Sequence, residues 1–256
     1  MEVRLVAASK GWEWIVDGFA LFRKSPAMWI ALTLLLGLIW IVTMIIPILG
    51  PLLFNLFSPA IFVGLMIGCR ALDRGEELEI RHLFAGFKDR LPPLVTVGGV
   101  YLVGTIVVVG IVLMLGGSAL PTALKPGADI EAVRAALRSM AFALAVGAAV
   151  YLPLIMLIWF APLLVVFDGL TPAASMKLSF AACLKNTLPF TVYGLVILGM
   201  WFVLSLPAAI GPAGALIVIA LLVASIPVLV CSIYASYKDV FVTRGASATG
   251  SNPFLR

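Results

Sequence analysis

Residues 27–69 read AMWIALTLLLGLIWIVTMIIPILGPLLFNLFSPAIFVGLMIGC and contain no charged side chain over 43 positions. A helix needs about 20 apolar residues to cross the hydrocarbon core of a bilayer, so this stretch is long enough for two crossings and too long for one. Pro47 and the pair Gly50-Pro51 lie near its centre. Because proline lacks an amide donor and clashes with the preceding turn, we expect a tight turn there. The stretch therefore predicts a transmembrane hairpin, with spans at about 27–49 and 51–69.

The rest of the chain continues this pattern. Four further apolar stretches are long enough to be spans, at about 94–116, 140–167, 190–210 and 213–234. Over the whole chain 63% of the residues are apolar and 11% are charged, against about 25% charged in an ordinary soluble domain. This composition excludes a water-soluble globule. It predicts an all-α integral membrane protein with six transmembrane helices in one domain, residues 1–242, and a polar cytoplasmic tail, residues 243–256.

The basic residues indicate the orientation of the helices. Fourteen of the 17 Lys and Arg residues fall on the side that holds both chain ends, and three, Lys125, Arg134 and Arg138, fall on the other side. Because short cytoplasmic loops carry an excess of Lys and Arg, we expect both termini in the cytoplasm. The basic residues are scattered and form no long patch, which excludes a nucleic-acid partner.

The entries to spans one, three and five resemble one another. Each has an aromatic residue, a short apolar step, a basic residue and then a proline that opens a span. A short amphipathic helix precedes each entry, and the second shows the helical spacing best, at Ile80, Leu83, Phe84, Phe87 and Leu91. The second span of each pair carries a proline and then an aspartate at its exit: Pro59 and Asp73, Pro162 and Asp168, Pro227 and Asp239. We therefore predict three parallel hairpin repeats, at about 9–70, 79–167 and 171–241, each preceded by an interfacial helix.

Small residues form two ridges at helical spacing. Ala60, Gly64 and Gly68 lie along the second span, and Ala141, Ala145 and Ala149 lie along the fourth. Small residues let helix backbones approach closely in a membrane. Packing within the chain is the first interpretation of both ridges, and a homodimer seam is the alternative.

Residues suited to catalysis or metal binding are scarce. No Asp, Glu, Lys, Arg or His lies within the six predicted span cores, and His82 is the single histidine. Cys69, Cys183 and Cys231 are widely spaced and form no CxxC motif, which gives a metal site little support. We therefore expect no enzymatic activity, no metal and no cofactor. Asn55 is the best candidate for a polar contact between helices, because its amide is harder to satisfy within its own helix than a hydroxyl is.

Five basic residues lie where an interfacial helix turns into a span: Arg23, Lys24, Lys88, Arg90 and Lys185. They form a basic collar at the expected height of the lipid phosphates. One hypothesis is that the collar binds anionic headgroups, with pairing to Asp73, Asp168 and Asp239. The alternative is ordinary positive-inside charge with surface ion pairs.

Four segments of the chain resemble a known family. They are residues 11–14 (GWEW), 22–29 (FRKSPAMW), 179–186 (SFAACLKN) and 234–241 (YASYKDVF). They are similar to an uncharacterised family of six-helix inner-membrane proteins found mainly in beta-proteobacteria, and the resemblance spans residues 11–241. It implies a bacterial inner membrane and a six-helix topology, and it brings no catalytic or binding residues.

These features predict a non-enzymatic inner-membrane protein that binds lipid or acts as a scaffold or accessory subunit of a membrane complex. The expected partners are membrane lipids, with another membrane protein or a second copy of the chain as alternatives. The competing hypothesis is a permease or channel for a small, weakly polar or lipid-like solute. A continuous polar-lined cavity would favour the permease, whereas a closed apolar centre would favour the lipid-binding scaffold.

Overall fold

The computed structural model describes residues 2–88, 90–117, 121, 125 and 129–242, and most of them are helical. The helices are α1 (Lys10–Phe22), α2 (Pro26–Met44), α3 (Leu49–Asp73), a 3₁₀ helix (Ile80–Phe87), α4 (Leu91–Gly116), α5 (Ile130–Ile158), α6 (Ala161–Phe167), α7 (Pro172–Lys185), α8 (Thr187–Ser205), a second 3₁₀ helix (Leu206–Ile210) and α9 (Pro212–Val240). Two short strands, β1 (Glu2–Val3) and β2 (Phe241–Val242), pair antiparallel. The predicted tail, residues 243–256, lies outside the described residues.

Six helical segments are long and apolar enough to cross a membrane, which confirms the predicted fold class. Several are longer than the sequence pattern indicated. The helix after the first turn continues to Asp73, and the fourth segment, α5 with α6, runs from Ile130 to Phe167. The tight turn between α8 and α9 contains Gly211, whose φ of +95° favours glycine.

The second helix of each pair is the more buried one. Within the most apolar 18 residues, 50% are buried in α3, 39% in α5–α6 and 28% in α9. The corresponding shares in α2, α4 and α8 are 11%, 11% and 6%. We therefore call α3, α5–α6 and α9 the inner spans and α2, α4 and α8 the outer spans. The outer spans carry the apolar surface that a membrane protein presents to lipid.

The three short helices α1, Ile80–Phe87 and α7, which we call the base helices, each pack on the inner span of the preceding pair. The first 3₁₀ helix lies along α3, where Gly86 is against the backbone of Ala60. The helix α7 packs on α5 and α6, and α1 packs on α9. This last contact joins the first unit to the third and closes the three pairs into a ring.

Burial is concentrated at one end of the ring, which we call the base. The opposite end, where α2, α4 and α8 end and α3, α5 and α9 begin, we call the tips. In α3 every buried residue except Gly50 lies between Pro59 and Leu72, and in α9 every one except Gly214 lies between Ser225 and Val240. In α2 and α8 the buried residues all lie within the first seven positions. The base therefore holds the protein core.

The two ridges of small residues have different surroundings. Ala60, Gly64 and Gly68 are buried, and the first 3₁₀ helix packs against them, as expected for packing within the chain. Ala141, Ala145 and Ala149 are exposed on α5. The α5 face that contacts α4 instead uses Ala143 and Gly147, which are offset from the ridge by two positions along the helix.

Candidate functional site

The carboxylate at the exit of α3 has two partners on α9. Lys238 Nζ lies 2.7 Å from Asp73 Oδ2, and the Tyr234 hydroxyl donates to the same oxygen at 3.3 Å. Tyr234 and Lys238 are four residues apart on a helix and therefore share a face. They join the end of the first unit to the end of the third.

The carboxylate after α6 is also bound by α9. The Tyr237 hydroxyl donates to Asp168 Oδ2. Burial raises the pKa of Asp168 above the usual value for an aspartate, while the hydrogen bond from Tyr237 and the positive charge of Arg70 act in the opposite direction. Nearby, the Arg70 guanidinium lies 4.1 Å from the centre of the Phe167 ring, a cation–π contact between α3 and α6.

The third carboxylate, Asp239, connects α9 to α1. Trp14 Nε1 donates to Asp239 Oδ2 at 3.0 Å, and Lys10 Nζ lies 3.4 Å from the same oxygen. A hydrogen bond to Glu13, followed by the charge of Asp239, raises the pKa of Lys10. The segment of α9 from Tyr234 to Asp239, which we call the α9 clasp, therefore holds all three exits together.

The basic collar is divided among three corners of the base, one beside each exit. Lys24 Nζ donates to the carbonyl of Leu72 at 2.9 Å, and Lys185 Nζ donates to the carbonyl of Val3 at 2.7 Å, next to the β1–β2 pair. At the remaining corner the Arg90 guanidinium lies beside Gly169, 3.6 Å from the position that a Cβ added to this glycine would take. Each corner therefore places a cation near the last residues of an inner span.

The expected ion pairs between the collar and the aspartates are replaced by other pairs. Asp73 binds Lys238, Asp239 binds Lys10, and Asp168 binds Tyr237. Among the described residues no salt bridge joins Arg23, Lys24, Lys88, Arg90 or Lys185 to a carboxylate. The partners come instead from α9, which carries Lys238 and Tyr237, and from α1, which carries Lys10.

The base helices present apolar side chains outward beside these cations. On α1, Trp12 is 55% exposed and Phe19 is 49% exposed, and the Arg23 guanidinium lies 5.9 Å from the Phe19 ring centre. On the first 3₁₀ helix, Ile80 and Phe84 are similarly exposed, upstream of Lys88 and Arg90. On α7, the exposed Leu184 precedes Lys185.

A polar cleft of about 350 Å³ opens at the base between α1, α3 and α9. Its walls include Asp17, Lys24, Asp73 and Lys238, and Cys231 also lines it. The Cys231 and Cys69 sulfurs are 3.6 Å apart, and both side chains are fully buried. The described residues hold no group of three or more side chains suited to a metal ion. The third cysteine, Cys183 on α7, is separate, and burial raises the pKa of its thiol to about 12.

The side chain of His82 caps a helix. The Glu79 backbone N–H donates to His82 Nδ1 at 3.0 Å, and the Glu79 side chain accepts from the backbone at His82. The remaining sequence candidate, Asn55, has a buried Oδ1 without a hydrogen-bond partner among the described residues. Its predicted contact between helices therefore stays a prediction.

Two polar residues that the sequence analysis did not single out hold the base together. Ser179 on α7 fills the break between α5 and α6: the Phe160 N–H donates to its hydroxyl at 3.0 Å, and the hydroxyl donates to the Met156 carbonyl at 2.7 Å. Asn186 binds the first residues, accepting from the Val6 N–H and donating to the Arg4 carbonyl, both at 2.9 Å. Pro162, whose ring clashes with the preceding turn of helix, was the available signal for the break that Ser179 fills.

Comparison with known proteins places the chain among bacterial membrane proteins. A curated protein described as a probable inner membrane protein, from Burkholderia thailandensis, is 32% identical over 259 residues, covering 94% of this chain and 94% of the relative. The chain belongs to the same family. This confirms the resemblance to beta-proteobacterial inner-membrane proteins and, with the six apolar helices, supports a multi-pass location in the inner membrane. No family model matches the chain, and no solved structure matches it.

Proposed function

We propose that this inner-membrane protein is non-enzymatic and binds phospholipid around its base, with the collar cations at the headgroup phosphates. One observation carries the proposal: each corner of the base combines an exposed cation with outward apolar side chains from the same base helix, as in Arg23 and Phe19. This is the arrangement of a helix that lies in the membrane interface, with its apolar side in the acyl boundary and its cations near the phosphates.

The division of the collar favours several lipids around the perimeter. Lys24 and Lys185 are exposed although each donates to a carbonyl, and an ammonium has three donors, so each retains the capacity to bind a phosphate. Arg23, Lys88 and Arg90 are exposed as well. We also propose a scaffold role, because lipids held at three corners would fix the position of the ring in the membrane.

The role of His82 favours a non-enzymatic protein. Its Nδ1 accepts a backbone N–H at the start of a helix, so this nitrogen cannot take a proton from a substrate without loss of that hydrogen bond. The competing permease needs a polar-lined path, and the cavity between the spans, described below, has a mostly apolar lining.

The test is lipid retention. A variant with Arg23→Gln, Lys88→Gln and Lys185→Gln removes one cation from each corner and leaves a neutral polar side chain in its place. The matched control is Arg134→Gln, which lies on α5 towards the tips and pairs with Glu131. After gentle detergent purification, we expect mass spectrometry to show less phosphatidylglycerol and cardiolipin on the triple variant and unchanged lipid on the control. Equal retention by the two proteins would refute headgroup binding by the collar.

The proposal also places the base on the cytoplasmic side. We expect single cysteines at Glu77 and Lys177, which are exposed at the base, to resist an impermeant thiol reagent in intact cells. A cysteine at Asp129, just before α5, is expected to react. Labelling at Glu77 or Lys177 from the periplasm would contradict the orientation.

A further inference from the structure

A cavity of about 350 Å³ lies between the inner spans and opens at the surface of the bundle. All three helix pairs contribute to its walls, which include Ser58, Phe62, Tyr101, Ile155, Trp159 and Ile233. It lies where two helices are disturbed by proline, because Pro59 of α3 and Pro162 at the start of α6 also line it. It is separate from the collar and from the polar cleft at the base.

The hydroxyl groups in its walls are already hydrogen-bonded within the protein. Ser58 Oγ donates to the carbonyl of Asn55 at 2.8 Å, and the Tyr101 hydroxyl is 2.9 Å from the hydroxyl of Tyr151. The indole N–H of Trp159 is buried and has no hydrogen-bond partner among the described residues. The walls therefore offer an occupant aliphatic and aromatic contact but few groups that would orient a polar headgroup.

We propose that this cavity holds a hydrocarbon chain of a membrane lipid. A dry cavity of about 150 Å³ in a protein core is enough to bind benzene, and a buried water needs two to four polar partners. The cavity here is more than twice that volume. It lies among membrane-spanning helices, where the surrounding solvent is itself hydrocarbon. This inference rests on the proposed function only in taking a lipid as the ligand. The hydrocarbon chain is bound in the cavity, whereas the headgroups are bound at the collar.

The chemistry shared by the possible ligands is a flexible apolar chain. It has two sources in a bacterial membrane, the acyl chain of a phospholipid and the isoprenoid tail of a polyprenyl lipid. The experiment therefore uses two probes in nanodiscs that contain the full-length protein. One is phosphatidylglycerol with a diazirine midway along one acyl chain, and the other is a polyprenyl alcohol with a diazirine in its tail.

Two variants fill the cavity from different helices, and one serves as a control. Ile155→Trp on α5 and Ile233→Trp on α9 place a larger ring in the cavity. The control Leu152→Trp makes a comparable change one turn away on α5, where Leu152 is 62% exposed and does not line the cavity. Thermal unfolding midpoints identify which of the two filling variants is folded and suitable for the comparison.

With at least one probe, we expect cross-links at the Phe62, Tyr101 or Trp159 peptides in the wild type and in Leu152→Trp. We expect these cross-links to be lost in the folded cavity-filling variants, whereas cross-links to exposed residues of α8 persist. The probe that reaches the cavity identifies the source of the chain. Persistent cavity cross-links in a filled variant, or cross-links only on outward faces of the wild type, would overturn the proposal. Lipid retention by the collar is measured separately, so either proposal can fail while the other stands.

Discussion

The base and the tips of this molecule are built from the same apolar helices, yet they hold together in different ways. At the base, the ends of α3, α6 and α9 are surrounded by three short helices and bound by the α9 clasp. Towards the tips, large apolar side chains such as Ile45, Ile48 and Ile210 are more than 70% exposed. The difference shows that apolar composition alone does not make a core in a membrane protein. Close packing and satisfied polar contacts are needed as well.

The largest expected effect of a single substitution is at Trp14. Trp14→Ala removes a fully buried ring that contacts Phe190 and Tyr193 and donates to Asp239, and such truncations cost about 3–5 kcal/mol. The matched control is Trp201→Ala on α8, where the ring is 45% exposed. We expect a large drop in the thermal unfolding midpoint in detergent for the first variant only. Equal drops would show that base and tips contribute alike.

A smaller effect is expected at the contact that closes the ring. A Cβ at Gly18 would lie 2.6 Å from the Val228 carbonyl oxygen and 2.7 Å from the Ser232 nitrogen, both of them backbone atoms of α9. Gly18→Ala therefore forces α1 away from α9, and overpacking of this kind costs about 1–3 kcal/mol.

Gly199 on α8 provides the control for Gly18, because a Cβ there would meet no atom within 4 Å. Gly199→Ala is expected to leave the unfolding midpoint unchanged or to raise it slightly, since alanine favours helix by up to about 1 kcal/mol over glycine. A loss of stability in Gly199→Ala as large as in Gly18→Ala would mean that the tips are packed too.

The fold could be predicted from the sequence wherever the signal is local. Proline with glycine marked the turns, and apolar length marked the spans. The outward stripe of α1, which includes Trp12 and Phe19, also follows from helical spacing.

The contacts that close the ring could not be predicted in the same way. The inner face of α1, with Trp14 and Gly18, meets residues of α9 more than 200 positions later. No periodicity within α1 identifies that partner. The same holds for Tyr237 and Asp168, which are 69 positions apart. The two side chains come into contact only in the assembled bundle, so no local pattern identifies them as partners.

The hydrogen bonds of the two halves can be compared directly. Tyr237→Phe removes a donor to the Asp168 carboxylate at the base, and hydrogen bonds to charged groups are worth about 1.5–3 kcal/mol. Tyr101→Phe removes a bond between two neutral hydroxyls among the spans, for which about 0.6 kcal/mol is the average in a membrane protein. Equal losses in the two variants, measured by unfolding midpoint, would contradict a special role for the α9 clasp.

The smallest expected effect is a pH dependence at Asp168. Its pKa is raised in the folded protein from 3.8, mainly by burial, so the folded state holds this proton more tightly than the unfolded state does. The protonated Asp168 therefore contributes to the free energy of unfolding fully below about pH 3.8, and this contribution is lost as the pH rises through the pKa of Asp168 in the folded protein. Asp168→Asn is expected to flatten this part of the stability profile, measured between pH 4 and 7. An unchanged slope would exclude Asp168 as its source.

The central claim is that the base is closely packed, whereas the tips of the first and third pairs bury few residues. It is tested most directly by distances between spin labels on the first and third units. One pair of labels, at Arg74 and Lys177, reports on the base, and another, at Ile48 and Ile210, reports on the tips; all four residues are exposed. The three native cysteines are first replaced by alanine. In nanodiscs, we expect a narrow distance distribution at the base and a broad one at the tips. Equally narrow distributions would contradict the account.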